Sequence, residues 1–154
     1  PMGPIELADV VGLDVLMSVG RVFFQDEQNV PPILSTRAVN KQFGKKTGQG
    51  FYTWTGDKPE KPPTEGRVAP DDLQDRLMLA LVNECVAVLR EKIVEDADLI
   101  DAGVIFGAGF APFQGGPIHY ARTRGIGAVV ARLEELRSAH GERFAPDPGW
   151  ELLR

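Results

Sequence analysis

The most regular hydrophobic pattern runs through residues 71–93, DDLQDRLMLALVNECVAVLREKI. There Leu73, Leu77, Ala80, Leu81, Cys85, Val88, Leu89 and Ile93 recur at three and four residues, the spacing of one helical face. Met78, Val82 and Val86 widen the apolar arc, so the pattern predicts a helix covered on more than one side, at the centre of the fold. Asp71 and Asp72 supply capping groups and negative charge at its start, and Arg90 and Lys92 suit the negative end of its dipole. Residues 95–110, EDADLIDAGVIFGAGF, predict a second helix, acidic at its start and ended by glycines. A shorter helix begun by proline is predicted in residues 31–43, PPILSTRAVNKQF, with Ile33, Leu34, Ala38 and Val39 as its buried face. GKKTGQGFYTW, residues 44–54, is glycine-punctuated and then alternates aromatic with polar positions, which predicts a turn and at most a brief hairpin. The chain from His140 onward reads as irregular.

Residues 55–70, TGDKPEKPPTEGRVAP, hold four prolines and Val68 as their one large apolar residue, the composition of a solvated linker. The expected organisation is therefore 1–55, a linker at 56–70, and 71–154, assembled as one compact unit. An internal repeat crosses this division. At an offset of 113, Gly3, Pro4, Ile5, Ala8 and Gly12 match Gly116, Pro117, Ile118, Ala121 and Gly125. Each copy continues with helical spacing, through Leu13, Leu16, Met17, Val19 and Phe23 in the first and Ile126, Val129, Val130, Leu133 and Leu136 in the second. A Gly-Pro pair before such a segment is a helix start, because proline fixes φ and has no amide to leave unpaired.

At 154 residues, 43% hydrophobic and 25% charged, the chain has the balance of a globular protein. Its net charge of −5, with no long basic run, predicts neither nucleic acid nor an anionic membrane as a partner. No apolar run reaches the roughly 18 to 20 residues that span a bilayer. The single cysteine, Cys85, excludes an intramolecular disulfide and fits a reducing, cytoplasmic setting.

Candidate chemistry thins out quickly. Gly107-Ala108-Gly109 opens a GxGxxG, but Pro112 stands where the third glycine belongs and no strand precedes it, so a dinucleotide loop is not expected. Gly44-Lys45-Lys46-Thr47 has lysine where a P-loop needs serine or threonine. His119 and His140 lack partners at metal-ligand spacing, and His119 reads as a structural or surface histidine more readily than as a base. Cys85 reads as core. Asn83 and Glu84 read as a hydrogen-bonded tie between elements. Phe106, Phe110, Phe113 and Tyr120 read as packing at a helix joint, with an apolar ligand channel as the alternative.

Taken together, these segments resemble the C-terminal part of 3-hydroxyacyl-CoA dehydrogenase in the form found on the multifunctional fatty-acid oxidation complex α-subunit. PMGPIELADVVGLDV resembles the end of that family's first helical repeat and GKKTGQGFY its continuation. RLMLALVNECVAVLREKIVEDADLIDAGVIFGAGFAPFQGGPIHYA resembles most of the second repeat. The resemblance implies an all-α, duplicated helical domain of the 6-phosphogluconate dehydrogenase C-terminal-like type, here cut short at its N-terminus, since Pro1 opens in what reads as the middle of a motif.

It further implies a parent enzyme that oxidises 3-hydroxyacyl-CoA to 3-oxoacyl-CoA with NAD in fatty-acid β-oxidation. In the family, NAD and the catalytic histidine and glutamate belong to an N-terminal Rossmann domain, so no catalytic, cofactor-binding or metal residue is carried over and the fragment is expected to be inactive alone. A further family active-site asparagine belongs to the first helical repeat, upstream of Pro1; the equivalent place in the second repeat holds Asp75, before Arg76. The one position carried over is Phe106, where the family often has a substrate-contacting tyrosine; the ring is kept and the hydroxyl lost. The implied partners are acyl-CoA and the Rossmann domain of the parent, which in some relatives also carries an enoyl-CoA hydratase domain. Truncation would uncover apolar surface and favour self-association. The alternative function is a non-catalytic helical module that docks a partner subunit such as thiolase.

Overall fold

The computed structural model describes residues 2–23, 30–63, 65–66 and 68–153. Thr64 and Arg67 of the expected linker, and the side chain of Phe23, lie outside the described residues. Contacts divide the chain into two compact units, Pro1–Arg67 and Val68–Arg154. Among the described residues the chain is mostly helical, and the strands form one short antiparallel hairpin, β1 (Thr53–Thr55) with β2 (Lys58–Glu60). That hairpin takes up the first part of the stretch read as linker.

In the first unit, α1 (Pro4–Val11) and α2 (Leu13–Phe23) are separated by Gly12 alone. Its φ of +104° lets the chain turn between them, a backbone state that a side chain would strain. α3 (Pro32–Val39) starts at a proline as the sequence predicts, but it buries no residue, and Ile33 and Val39 face outward. A two-turn helix packed mainly on α2 has too little contact to cover its apolar side.

What holds this unit is a buried carboxylate on α1 that the sequence reading overlooked. Asp9 accepts from the backbone N–H of Phe51 (2.8 Å) and Tyr52 (2.9 Å) and from the indole of Trp54 (2.9 Å). The glycines of GKKTGQG follow from this. A Cβ on Gly50 would lie 2.3 Å from Asp9 Oδ1, and one on Gly44 would lie 2.2 Å from the Asp9 carbonyl. Within the same turn, the Thr47 hydroxyl accepts from Phe43 N–H and reaches the carbonyls of Gly44 and Gln49. Those bonds make the segment a latch on α1 rather than a phosphate loop.

The second unit is built round α4 (Leu73–Arg90), with α5 (Ala97–Ala108), α6 (Pro117–Arg124) and α7 (Ile126–His140) against it. The core takes Leu79, Val82, Cys85 and Val86 from α4, Ile100 from α5, Ile118 and Ala121 from α6, and Val129, Leu133 and Leu136 from α7. This corrects the predicted face: α4 buries the arc through Leu79 and Val86, while Leu73, Leu77 and Leu81 stay exposed. Asp72 stands at the N-cap position without capping; its carboxylate is held instead by His140 (2.6 Å) and Arg76 (3.2 Å). At α5 the expected ends are found, with Asp96 accepting from Asp98 N–H and Gly109 in the left-handed conformation.

The segment after His140 is not slack. Two 3-10 turns, Glu142–Phe144 and Pro148–Leu153, bring Phe144 and Trp150 into the core. Asn83 ties them to α4, donating to the Ala145 carbonyl (3.0 Å) and accepting from Asp147 N–H (2.9 Å) and the Trp150 indole (2.8 Å). Glu84 takes no part and is exposed.

The repeat reappears in three dimensions: α1 and α6 span matching residues at the 113 offset, and α2 and α7 start at matching residues. Gly125 separates the second pair with φ +93°, as Gly12 separates the first.

Candidate functional site

The corner between α5 and α6 carries the position brought forward by resemblance. Phe106 lies on the last turn of α5 and is 89% exposed; Phe113, in the turn Pro112–Gln114, is 86% exposed, while Phe110 between them is buried. The aromatic cluster expected from sequence is therefore split: Phe110 is buried, Tyr120 packs partly buried against the core, and Phe106 and Phe113 face out.

Asp101 sets the geometry of this corner. From α5 its Oδ1 accepts from Ile118 N–H at 2.6 Å and its Oδ2 from His119 N–H at 2.9 Å, so one carboxylate caps the start of α6. Gly116 has φ +103°, and a Cβ there would lie 2.3 Å from Asp101 Cβ. Glycine is required for backbone reasons and for space. The capped amides at the start of α6 are thus already used, which argues against phosphate binding at this Gly-Gly-Pro step. His119 is exposed, and its ring lies beside Gly115.

The residues present do not fit a dinucleotide either. Gly107-Ala108-Gly109 ends a helix instead of leading from a strand into one, and the strands form only an antiparallel hairpin. Among the described residues no group of three or more His, Cys, Asp or Glu side chains could hold a metal ion. Among the described residues no helix is long and apolar enough to cross a membrane.

Asp75 is drawn into an ion network. It meets Arg124 through both oxygens (2.6 and 3.1 Å) and Arg132 through Oδ2 (2.7 Å), and Arg124 also donates to the Tyr120 hydroxyl. The Arg124 hydrogen bond, with help from Arg132, holds its carboxyl below the ordinary aspartate range. It is an anchor between α4, α6 and α7, paired with two guanidinium groups. Cys85 is buried, and loss of solvent pushes its thiol up to about 11, so it is inert at neutral pH.

An open hollow of about 650 Å³ lies elsewhere in this unit, lined by Leu89, Ala97, Leu152 and Leu153 with Lys92, Arg122, Glu95, Asp96 and Asp98. It includes none of the residues weighed from the sequence as candidates for chemistry or substrate contact.

Comparison with known proteins relates the chain to a family. Residues 1–54 match the 3-hydroxyacyl-CoA dehydrogenase, C-terminal domain. The chain is 33% identical to the fatty acid oxidation complex subunit alpha of Vibrio cholerae over 97% of its own length, and 34% identical to that of Idiomarina loihiensis over 96%. It spans 23% of the length of either relative. In three dimensions it resembles 3-hydroxybutyryl-CoA dehydrogenase from Escherichia coli, with TM-score 0.69 and 18% identity, covering 99% of this chain and 51% of that one. It also resembles the dehydrogenase part of multifunctional enzyme 1 from C. elegans, with TM-score 0.67 and 22% identity, covering 99% and 38%. Through residues 1–54 the chain thus matches the 3-hydroxyacyl-CoA dehydrogenase C-terminal domain, and over nearly its whole length it is homologous to the alpha subunit of the fatty acid oxidation complex.

Proposed function

We propose that the chain is the helical C-terminal part of an NAD-dependent 3-hydroxyacyl-CoA dehydrogenase of fatty-acid β-oxidation, whose nicotinamide-binding domain lies outside these residues. Its role is to form one wall of the substrate cleft and to hold that wall in register with the cofactor domain, because hydride transfer requires both reactants at near-attack distance. The observation that carries this reading is the homology, extending over 97% of the chain, to alpha subunits more than four times its length. Acyl-CoA is the ligand, the cofactor domain of the same polypeptide the partner, and the 154-residue chain alone is inactive. The organisation proposed with it is the tail of a first helical repeat in residues 1–55 and a second repeat in 71–154.

Phe106 is the proposed substrate contact. Its ring is almost fully exposed, and covering a phenylalanine ring is worth roughly 1.5–3 kcal/mol. The test is kinetic, with the gene-encoded polypeptide that contains these residues assayed for NADH formation from 3-hydroxyacyl-CoA. Phe106→Ala raises KM about tenfold, corresponding to about 1.4 kcal/mol of lost binding, while kcat changes less. Phe106→Tyr keeps the wild-type KM within about twofold. NADH formation by the 154-residue chain alone, or an unchanged KM for Phe106→Ala, contradicts the proposal.

A further inference from the structure

Among the described residues of the second unit, the lysine and arginine charges are almost all engaged. Arg76, Arg90, Arg124, Arg132 and Arg137 each meet a carboxylate within 3.2 Å, and Arg143 lies over the Phe144 ring. Lys92 and Arg122 are the exceptions, since neither side chain meets a carboxylate or a ring among the described residues. Both line the same hollow, the one of about 650 Å³.

That hollow is bounded by several elements. Leu89 and Lys92 stand at and just past the end of α4, Glu95, Asp96 and Asp98 at the start of α5, Arg122 on α6, and Leu152 and Leu153 on the last 3-10 turn. Asp96 is spent on capping, its Oδ1 accepting from Asp98 N–H. The carboxylates of Glu95 and Asp98 have no partner among the described residues. Two bases and two acids therefore line one space without pairing across it, the acids together at the start of α5 and the bases on the neighbouring elements. The three leucines supply the apolar wall.

The volume lies within the roughly 300–1,000 Å³ of small-molecule sites. A purely anionic guest would be repelled by Glu95 and Asp98, and a purely cationic one by Lys92 and Arg122. A head group carrying both signs avoids both repulsions, and an alkyl tail laid on the leucines takes apolar area out of water.

We propose that this hollow binds a single-chain zwitterionic amphiphile. The negative group of its head sits on Lys92 and Arg122, the positive group faces Glu95 and Asp98, and the tail lies against Leu89, Leu152 and Leu153. The proposal does not depend on the dehydrogenase reading, because it uses only side chains of the second unit around this hollow.

Lys92 also offers a variant that spares the fold. Its φ is +57°, where Leu89 and Val88 carbonyls accept from the N–H groups of Lys92 and Ile93. Glycine takes this helix-ending conformation without strain.

The test is calorimetric titration of the gene-encoded polypeptide that contains these residues with dodecylphosphocholine below its micelle concentration. Saturable binding is expected, with dodecyl phosphate and dodecyltrimethylammonium each at least about tenfold weaker. Lys92→Gly and Arg122→Gln should each weaken dodecylphosphocholine about fivefold, while the melting temperature of Lys92→Gly stays level or rises. Glu95→Gln combined with Asp98→Asn should turn the preference toward dodecyl phosphate. Phe106→Ala should leave the binding unchanged. No saturable binding, equal affinity for the three amphiphiles, unchanged affinity in Lys92→Gly and Arg122→Gln, or a loss in Phe106→Ala would overturn the proposal, whether or not the polypeptide forms NADH.

Discussion

Replacing Asp9 with asparagine tests the account of the first unit most directly. The carboxylate receives three donors, Phe51 N–H on one oxygen and Tyr52 N–H with the Trp54 indole on the other. Asparagine has one carbonyl oxygen. Turned the better way it keeps Tyr52 and Trp54 and sets its own NH2 against the Phe51 N–H, donor facing donor. The lost bond to a charged acceptor costs about 1.5–3 kcal/mol. The two that remain become neutral bonds, which are roughly half as strong as charge-assisted ones. A total of about 3–6 kcal/mol follows, a large part of the 5–15 kcal/mol that ordinarily separates folded from unfolded domains. Trp54 and Trp150 are the two tryptophans, one in each unit, so in a Trp150→Phe background urea unfolding followed by fluorescence reports the surroundings of Asp9. A loss under about 1 kcal/mol would show that the carboxylate does not hold the latch.

Two further outcomes follow from groups whose protonation the fold shifts. The Cys85 thiol, buried and raised to about 11, should react with an aromatic disulfide reagent at pH 8 only as fast as the protein unfolds; rapid labelling of the native protein would contradict its place in the core. Asp72, Asp75 and Asp147 are lowered from 3.8, chiefly by hydrogen bonds from His140, Arg124 and Arg90 respectively. Because their folded values lie below the unfolded one, their stabilisation is complete above the ordinary aspartate pKa and is lost as pH falls below it. The thermal midpoint should therefore hold down to about pH 5 and drop below about pH 4, and Asp75→Asn should shrink that drop; an undiminished drop in the variant would remove Asp75 from the account.

How far the sequence foretold this fold can be judged at particular residues. Pro4, Pro117, Gly12 and Gly125 announced the paired helices because proline and glycine restrict the backbone locally, and local restrictions survive in the structure. The buried side of α4 did not follow from periodicity, since Leu73, Leu77 and Leu81 repeat at helical spacing as well as Leu79, Val82 and Val86 do. Which arc is buried depends on where α6 and α7 lie, and that is tertiary information. Asp9 and Asp101 were missed because a carboxylate within an apolar helix looks like a solvent-facing position until its donors are known. The usable signal lay elsewhere in the chain, in glycines 50 and 116, where each carboxylate leaves no room for a Cβ. Phe106 came from resemblance alone; no local pattern distinguishes an aromatic that meets substrate from one that packs.

The geometry of α5 explains how such a surface residue can be held without being buried. Asp101 and Phe106 are five residues apart on one helix, which turns them about 140° from each other. The carboxylate therefore faces inward to α6 while the phenylalanine faces out. Beyond it, Gly109 ends the helix in the left-handed conformation and Phe110 enters the protein interior, so the turn that bears Phe106 is fixed on both sides. An acyl chain meeting that ring, as proposed, would meet a group whose backbone freedom was already spent in folding, and such preorganisation lowers the entropic cost of contact. The same helix that closes the corner thereby presents the exposed ring proposed as the substrate contact.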